Sequence, residues 1–186
     1  MKFADARKYK KEIKRLYKAS FPGKERYPLA LLYRKARGSG VRFLAVLDED
    51  RFIGFVYVME KPHFAYLYYI AVSPDERKKG YGSRMLRAIR RMYRGKTIAV
   101  SIESPDEKGI ANRRERMWRL AFYERNGFRR LSVRTKEVGV VYELLGTGAD
   151  VTKADYLSLM SEYLGAFSFR MVFSSAGKRS ASASKR

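Results

Sequence analysis

The order of hydrophobic segments in the middle of the chain restricts its fold more than any other feature. The apolar stretch Tyr66–Val72 predicts a strand, Ser83–Tyr93 predicts an amphipathic helix, and Thr97–Ile102 predicts another strand. A basic turn containing Gly80 and Gly82 joins the first strand to the helix. A strand, a helix and a strand in succession are typical of a parallel crossover, so we expect an α/β fold built on a mixed sheet.

The remaining segments extend this sheet and cover it with helices. The hydrophobic patterns predict helices at Ala6–Ala19, from Pro28 to about Gly38, at Asn112–Arg125 and at Thr152–Leu164, and strands at Val41–Leu47, Phe52–Met59, Val133–Val138 and Val140–Leu145. From Ser174 onward the chain is basic and lacks apolar periodicity, so we expect a disordered tail. We therefore expect one domain at residues 1–165 and an extension at residues 166–186.

Composition excludes several kinds of chemistry. The chain has no cysteine, which excludes disulfides, a thiolate nucleophile and a cysteine-ligated zinc site, and we expect no metal. It has no long apolar run and no apolar signal region, so we expect a soluble, cytoplasmic protein without a membrane partner. Its 41 Lys and Arg against 19 Asp and Glu give a net charge of +22, which favours anionic ligands and permits weak association with nucleic acid.

The basic turn before the predicted helix is suited to an anion. The first amides of a helix are unpaired and partly positive, and glycines at positions 80 and 82 let a phosphate approach them. The same glycines are also compatible with a simple turn, and the basic run that follows with a solvated helix face. No Gly-Lys-Ser or Gly-Lys-Thr follows, so the turn is not a P-loop.

Two motifs in this part of the chain resemble those of one enzyme superfamily. The stretch YIAVSPDERKKGYGSRML is similar to the acyl-CoA-binding motif of the GNAT superfamily of N-acyltransferases, in which Arg/Gln-x-x-Gly-x-Gly/Ala follows the fourth strand. The stretch NRRERMWRLAFYERNGF, Asn112 to Phe128, resembles a later helix of that superfamily. SFPGKERYPLALL also resembles bacterial members, and the resemblance covers about residues 3–165.

The resemblance implies an acetyl-CoA site and a fold. Backbone groups of Ile70–Val72 would pair with the pantetheine arm, and backbone amides of Lys78–Ser83 would hold the pyrophosphate. Arg84 and Arg87 could meet the 3′-phosphate of the nucleotide. The fold implied is a mostly antiparallel mixed sheet whose central strand pair splays apart. The residues assigned to the cofactor are Ile70, Ala71, Val72, Arg77, Lys78, Lys79, Gly80, Tyr81, Gly82, Ser83, Asn112, Arg116 and Arg119.

The resemblance also suggests catalytic residues. It makes Tyr123 the general acid for the leaving thiolate, and a phenol is protonated at neutral pH as a donor must be. Spacing alone favours a tyrosine that packs in the core beside Phe122. Glu103, at the end of a predicted strand, is the candidate general base, directly or through a water, and a salt bridge to an arginine is the alternative.

Three further positions complete the candidate site. Glu25 lies in the loop that forms part of the acceptor wall in the superfamily, so it is a candidate substrate residue, with a solvated carboxylate as the alternative. His63 is expected to be structural or exposed. Many members carry Asn and Ala seven and four residues before the catalytic tyrosine, where this chain has Arg116 and Arg119, so an arginine could serve the cofactor phosphates here.

The sequence therefore favours an N-acetyltransferase that moves an acetyl group from acetyl-CoA to a primary amine in a ternary complex. The acceptor would be a small molecule or a peptide amine. The alternatives are a non-catalytic basic module that binds RNA or a ribosome, and a CoA sensor without transfer. The oligomeric state is open between a monomer and a homodimer.

Overall fold

Strands and helices follow one another in an α/β order in the computed structural model, which describes residues 1–23 and 26–173. The elements are β1 (Lys2–Asp5), α1 (Lys10–Ser20), α2 (Leu29–Lys35), β2 (Val41–Asp48), β3 (Arg51–Glu60), β4 (Phe64–Val72), α3 (Tyr81–Met92), β5 (Thr97–Glu103), α4 (Arg113–Arg125), β6 (Arg129–Glu137), β7 (Val140–Gly146), α5 (Lys153–Leu164) and α6 (Ala166–Phe173). The chain forms two compact units, Met1–Ile98 and Ala99–Arg186.

The first unit is built on the antiparallel ladder β1–β2–β3–β4. Its strands are rich in Val, Ile, Phe and Tyr, which suit a pleated and half-buried surface, and seven consecutive residues of β3 are buried, from Ile53 to Met59. Helix α1 places Ile13, Leu16 and Tyr17 in the core at helical spacing. The predicted β2–β3 hairpin is confirmed, with Glu49 in its turn at φ 55°.

Gly54 allows β3 and β4 to lie close together. A Cβ atom at this position would lie 2.0 Å from the carbonyl oxygen of Ala71, a distance that real Cβ atoms do not adopt. Gly54 pairs with Val72 at the end of β4, directly before the chain leaves the sheet toward α3. The absence of a side chain at residue 54 therefore fixes the path of β4 where it enters the basic turn.

The second unit contains the antiparallel pairs β5–β7 and β6–β7 and the helices α4 to α6. Helix α5 begins with the capping box predicted from the sequence, since Thr152 Oγ1 accepts from the Asp155 N–H and the Asp155 carboxylate accepts from the Thr152 N–H. Helix α6 touches the β6–β7 turn, where the Val138 N–H donates to the Val172 carbonyl at 3.0 Å.

Two elements were not predicted. β1 is only four residues long and exists because it pairs with β2 from Lys2 to Asp5. α6 is an eight-residue helix in the segment expected to be a terminal extension. Helix α1 also begins later than predicted, because residues 6–9 form a 3-10 turn. The predicted tail from Ser174 lies outside the described residues.

Among the residues that the structure describes, five carboxylates each face two cations, as expected where basic residues are in excess. The five groups are Asp48 with Arg84 and the Met1 amino group, Glu60 with Arg42 and Lys96, Glu76 with Arg51 and Lys79, Glu103 with Arg116 and Arg119, and Asp106 with Arg130 and Arg134. The acidic side chains therefore act as shared partners between basic residues from different segments.

Asp48 fixes the start of α3 from the end of β2. Its Oδ2 accepts a hydrogen bond of 2.7 Å from the Tyr81 hydroxyl, and its two oxygens pair with the two Nη atoms of Arg84 at 3.1 Å. Arg51 donates to the same hydroxyl at 3.0 Å. The Tyr81 hydrogen bond first, and the Arg84 hydrogen bonds second, lower the pKa of Asp48 to about 2. We call Asp48, Tyr81 and Arg84 the α3 clamp.

Within the described residues, no helix is long and apolar enough to cross a bilayer. The same residues include no group of three or more His, Asp or Glu side chains arranged to hold a metal ion.

We expect Asp48→Asn to lower the melting temperature at neutral pH and to matter less in acid. The folded pKa of about 2 lies below the ordinary value of 3.8, so the carboxylate stabilises the fold above about pH 4 and loses this effect as the pH falls toward 2. The melting-temperature difference between wild type and variant should narrow over that range. Asp75→Asn, at an exposed aspartate, is the control. A difference for Asp48→Asn that stays constant down to pH 2 would contradict the assigned pKa.

Candidate active site

The turn before α3 has the backbone geometry of an anion site. Gly80 precedes the helix in the left-handed conformation, with φ 79° and ψ 1°, and Lys78 is also left-handed, with φ 63°. Left-handed residues in this turn direct the chain into α3 so that its first amides begin the helix at Tyr81. No side chain caps this end of the helix.

The space beside Gly80 fits an anion. A Cβ atom built at Gly80 would meet no heavy atom within 4 Å, so this side of the turn is open. The partial positive charge of the α3 N-terminus faces a turn that carries Lys78 and Lys79, both exposed. A phosphate group is therefore the kind of ligand that this turn can accept through backbone amides.

The side chains of the turn mostly hold the turn itself. Arg77 Nε donates to the carbonyl of Val72 at 3.2 Å, and Lys79 pairs with Glu76 at 3.2 Å. The Tyr81 ring is buried and its hydroxyl belongs to the α3 clamp. We therefore expect these three residues to contribute backbone groups to a cofactor site, together with the positive charge of Arg77 and Lys79, rather than specific side-chain contacts.

The predicted phosphate arginines of α3 differ in their surroundings. Arg84 is bound bidentately by Asp48, so its guanidinium serves the clamp in this structure. Arg87 is exposed on the outer face of α3. Ser83 and Gly82 are half-buried in the first turn of the helix.

β4 changes its burial pattern toward its end. Residues 64–67 are buried on both faces, whereas Tyr68, Ile70 and Val72 are half-exposed on one face and Tyr69 and Ala71 are buried on the other. The predicted pantetheine-binding residues Ile70, Ala71 and Val72 lie in this part of the strand, and their register with β3 is Val56, Phe55 and Gly54. One face of the strand is thus partly open directly before the anion turn.

Tyr123 lies on the inner face of α4. It is buried, and its ring makes edge contacts with Phe122 and Phe128 at centroid distances of 5.2 and 5.3 Å. Burial raises the pKa of the phenol to about 12, although Arg119 acts in the opposite direction. The hydroxyl is therefore protonated throughout the neutral range, and among the described residues none makes a hydrogen bond with it.

Glu103 is buried at the end of β5 and is held by α4. Its Oε1 pairs with Arg116 Nη2 at 3.2 Å, and its Oε2 accepts from Arg119 Nη1 and Asn112 Nδ2, each at 3.4 Å. The salt-bridge alternative for Glu103 is thus what the structure shows, and its role as general base stays a prediction. The structure brings Glu103, Asn112, Arg116 and Arg119 together in one cluster.

Arg116 is the centre of that cluster and is itself buried. Its Nη1 donates to the Ser104 carbonyl at 2.9 Å and to Glu107 Oε2 at 2.8 Å. These partners fix the loop after β5 to α4. They give Arg116 an internal role, whereas Arg119 is partly exposed.

Glu25 and His63 are the remaining residues considered in the sequence. Glu25 lies outside the described residues, so its role as a substrate residue stays a prediction. His63 is exposed, as expected; its ring lies 5.0 Å from that of Phe64, and its carbonyl accepts from the Thr97 N–H at 3.1 Å.

The sequence reasoning missed a tyrosine network that ties the α1–α2 loop to β4. The Tyr17 hydroxyl donates to the Tyr27 carbonyl at 2.9 Å and lies 3.0 Å from the Tyr69 hydroxyl, which accepts from the Tyr27 N–H at 3.2 Å. Phe21 packs edge-on against Tyr69 at 4.8 Å. The sequence signal was only the density of aromatics in these segments, which does not specify pairs.

Comparison with known proteins agrees with the motifs. A family model described as an acetyltransferase (GNAT) domain matches residues 39–130, which include the turn before α3 and Tyr123. A search of curated proteins gave no match.

Solved structures share the fold. A GNAT-family acetyltransferase from Bacteroides thetaiotaomicron is 22% identical with a TM-score of 0.73, over 91% of this chain and 99% of that chain. An aminoglycoside 6′-N-acetyltransferase complexed with coenzyme A is 14% identical with a TM-score of 0.59, over 82% and 99%. A mutant of the spermidine N-acetyltransferase from Vibrio cholerae is 19% identical with a TM-score of 0.59, over 89% and 98%. These likenesses confirm the expected α/β fold class. The family model shows that residues 39–130 form a GNAT acetyltransferase domain.

Proposed function

We propose that this protein is an N-acetyltransferase that moves an acetyl group from acetyl-CoA to a primary amine directly, within a ternary complex. The observation that carries the proposal is the open, left-handed turn at Gly80, which presents the first amides of α3 to an anionic ligand. The match of residues 39–130 to the GNAT acetyltransferase domain supports acetyl-CoA as that ligand.

Acetyl-CoA would supply an acetyl group activated as a thioester. The backbone amides from Lys78 to Ser83 would hold its pyrophosphate, and the half-exposed end of β4 would align its pantetheine arm through backbone groups. Lys78, which is exposed in the turn, would add positive charge near the phosphates. Holding both substrates in one place supplies much of the rate enhancement that such a transfer needs.

Tyr123 would protonate the departing thiolate. Its burial keeps the phenol neutral, with a pKa of about 12, so the proton is present when the carbon–sulfur bond breaks. A tyrosine that loses this proton regains it from solvent between turnovers. The neighbouring Arg119 opposes the effect of burial and would stabilise the transient phenolate.

Glu103 would take part in removing the proton from the amine, directly or through a water. The Glu103 carboxylate is buried at the end of β5, where it pairs with Arg116 and Arg119. The same ion pairs also hold α4 against β5, so Glu103 has a positioning role besides any role in proton transfer. A conservative substitution can separate these two roles because glutamine retains hydrogen-bond acceptance but cannot accept the proton.

The acceptor would be a small primary amine. Solved structures with this fold include an aminoglycoside and a spermidine N-acetyltransferase, both of which act on amines. The charge of this chain, +22, would slow encounter with a polycationic acceptor. We therefore propose an amine that is neutral or carries negative charge elsewhere in the molecule.

Gly80→Ala should weaken CoA binding by about tenfold, because the new methyl group enters the space beside the helix amides and a positive φ becomes strained. Gly95→Ala is the matched control, since Gly95 has φ 87° and a Cβ there also meets nothing within 4 Å. Both variants should lose similar stability, so only CoA affinity distinguishes them.

The measurement is the rise in melting temperature with acetyl-CoA and with CoA. Equal rises for Gly80→Ala and Gly95→Ala would contradict the proposed pyrophosphate site. Absence of any rise with the wild type would contradict CoA binding altogether and favour a non-enzymatic basic module.

Tyr123→Phe should lower kcat by about 10²- to 10⁴-fold and leave CoA affinity unchanged, because only the proton donor is lost. Tyr156→Phe, which removes a buried hydroxyl bonded to Glu137 in the same unit, is the control for general destabilisation. Turnover would be followed as free thiol released in an amine screen. A Tyr123→Phe enzyme with normal kcat would rule out the assigned acid, whereas CoA binding by wild type without turnover on any amine would favour a CoA sensor.

Glu103→Gln should lower kcat/KM by about 100-fold, because glutamine cannot accept the proton of the amine. Glu107→Gln is the matched control, since Glu107 pairs with the same arginine, Arg116. A Glu103→Gln variant that melts at a lower temperature but keeps the wild-type kcat/KM would show that Glu103 only positions α4.

A further inference from the structure

The outer face of α4 exposes an aromatic side chain between arginines. Trp118 is 66% exposed and Met117 is 46% exposed, although large apolar side chains of a helix usually face the core. The buried residues Arg116, Leu120 and Tyr123 lie on the opposite face. The proposed acetyl-transfer chemistry uses only this inner face, so Trp118 has no part in it.

Trp118 forms one aromatic surface with Phe122. The two residues are four positions apart, and their rings are nearly parallel, with an interplanar angle of 11° and centroids 6.0 Å apart. Phe122 is half-buried and anchors the pair against the helix. The exposed indole is therefore held in one orientation.

Arginines extend this surface along the helix. Arg114 lies one turn before Trp118 and Arg125 two turns after it, and both are exposed on the same side of α4. Glu115 and Glu124 are also exposed, but helical geometry places them to either side of the line through these residues. We call Arg114, Trp118, Phe122 and Arg125 the α4 stripe.

We propose that the α4 stripe binds single-stranded nucleic acid. Flat aromatic side chains stack on bases of any sequence, and arginines pair with the phosphates between them. A net charge of +22 favours the approach of such a polyanion. A lipid surface would call for several apolar side chains facing outward together, whereas the α4 stripe places arginines at both ends of one aromatic pair.

The chain contains a single tryptophan, so its fluorescence reports on Trp118 alone. Titration with a short oligo(U) RNA and with oligo(dT) should quench this emission, because a base stacks on the indole. Tighter binding of RNA than of DNA would indicate a contact to the 2′-hydroxyl. Equal affinities would indicate that the protein contacts only the phosphates and the faces of the bases. Heparin, a polyanion without bases, should bind without comparable quenching.

Variants test which residues carry the binding, measured by the polarisation of a labelled oligonucleotide. Trp118→Ala should weaken binding about tenfold, whereas Phe167→Ala, at a residue 78% exposed on α6, should not. Arg114→Gln should also reduce the slope of log K against log salt by about 0.7, whereas Arg94→Gln, at an exposed arginine after α3, should leave it nearly unchanged.

Four outcomes would overturn the proposal. They are oligonucleotide binding without quenching, equal losses for Arg114→Gln and Arg94→Gln, an emission shift with anionic vesicles but not with oligonucleotides, and a dimer that dissociates in Trp118→Ala. The melting-temperature rise with acetyl-CoA is measured on the same variants and should not change, so this proposal and the proposed transferase activity fail independently.

Discussion

The anion turn depends on the hydrogen bonds that Asp48 accepts from Tyr81 and Arg84. A helix that offers its first amides to a ligand cannot use a side-chain cap at that end, and α3 begins without one. The α3 clamp replaces the cap by holding the helix from its side, through the Tyr81 hydroxyl and the Arg84 guanidinium. The amides stay available because the stabilising contacts come from β2, 33 and 36 positions away in sequence.

The inner face of α4 is also held from its side, in this case by ion pairs. Where many members of the family have an asparagine, this chain places Arg116 in a buried position and pairs it with Glu103 and Glu107. A buried guanidinium needs such partners, since an unpaired charge in the interior is strongly destabilising. The ion pairs connect the end of β5 to α4, and through the helix they connect β5 to Tyr123. Arg116 thus connects the end of β5 and the loop after it to α4.

Most elements could be predicted from local patterns, because hydrophobic periodicity and turn residues are local properties. The glycine turn and Tyr123 were singled out through the family motifs, and Glu103 from its place at the end of a predicted strand; their roles stay predictions. The partners of these residues could not be found. In the sequence, Asp48 is recognisable only as a residue of the β2–β3 hairpin. Its hydrogen bonds to α3 form only when the sheet has folded, so the sequence pattern does not reveal them. β1 has no strand pattern of its own and forms by pairing with β2. The exposure of Trp118 depends on which face of α4 is turned toward the core, which is set only in the folded protein.

In the five groups where one carboxylate faces two cations, substitution of the acid and substitution of a base have unequal effects. Loss of one arginine from such a group leaves the acid with its second partner, as Arg119 leaves Glu103 with Arg116. Loss of the acid leaves two positive charges close together with nothing between them. Because the chain has 41 basic and only 19 acidic residues, substitution of a basic residue in these groups should disturb the structure less than substitution of the shared acid. The scarce carboxylates, more than the abundant arginines, are therefore where this surface is least able to change.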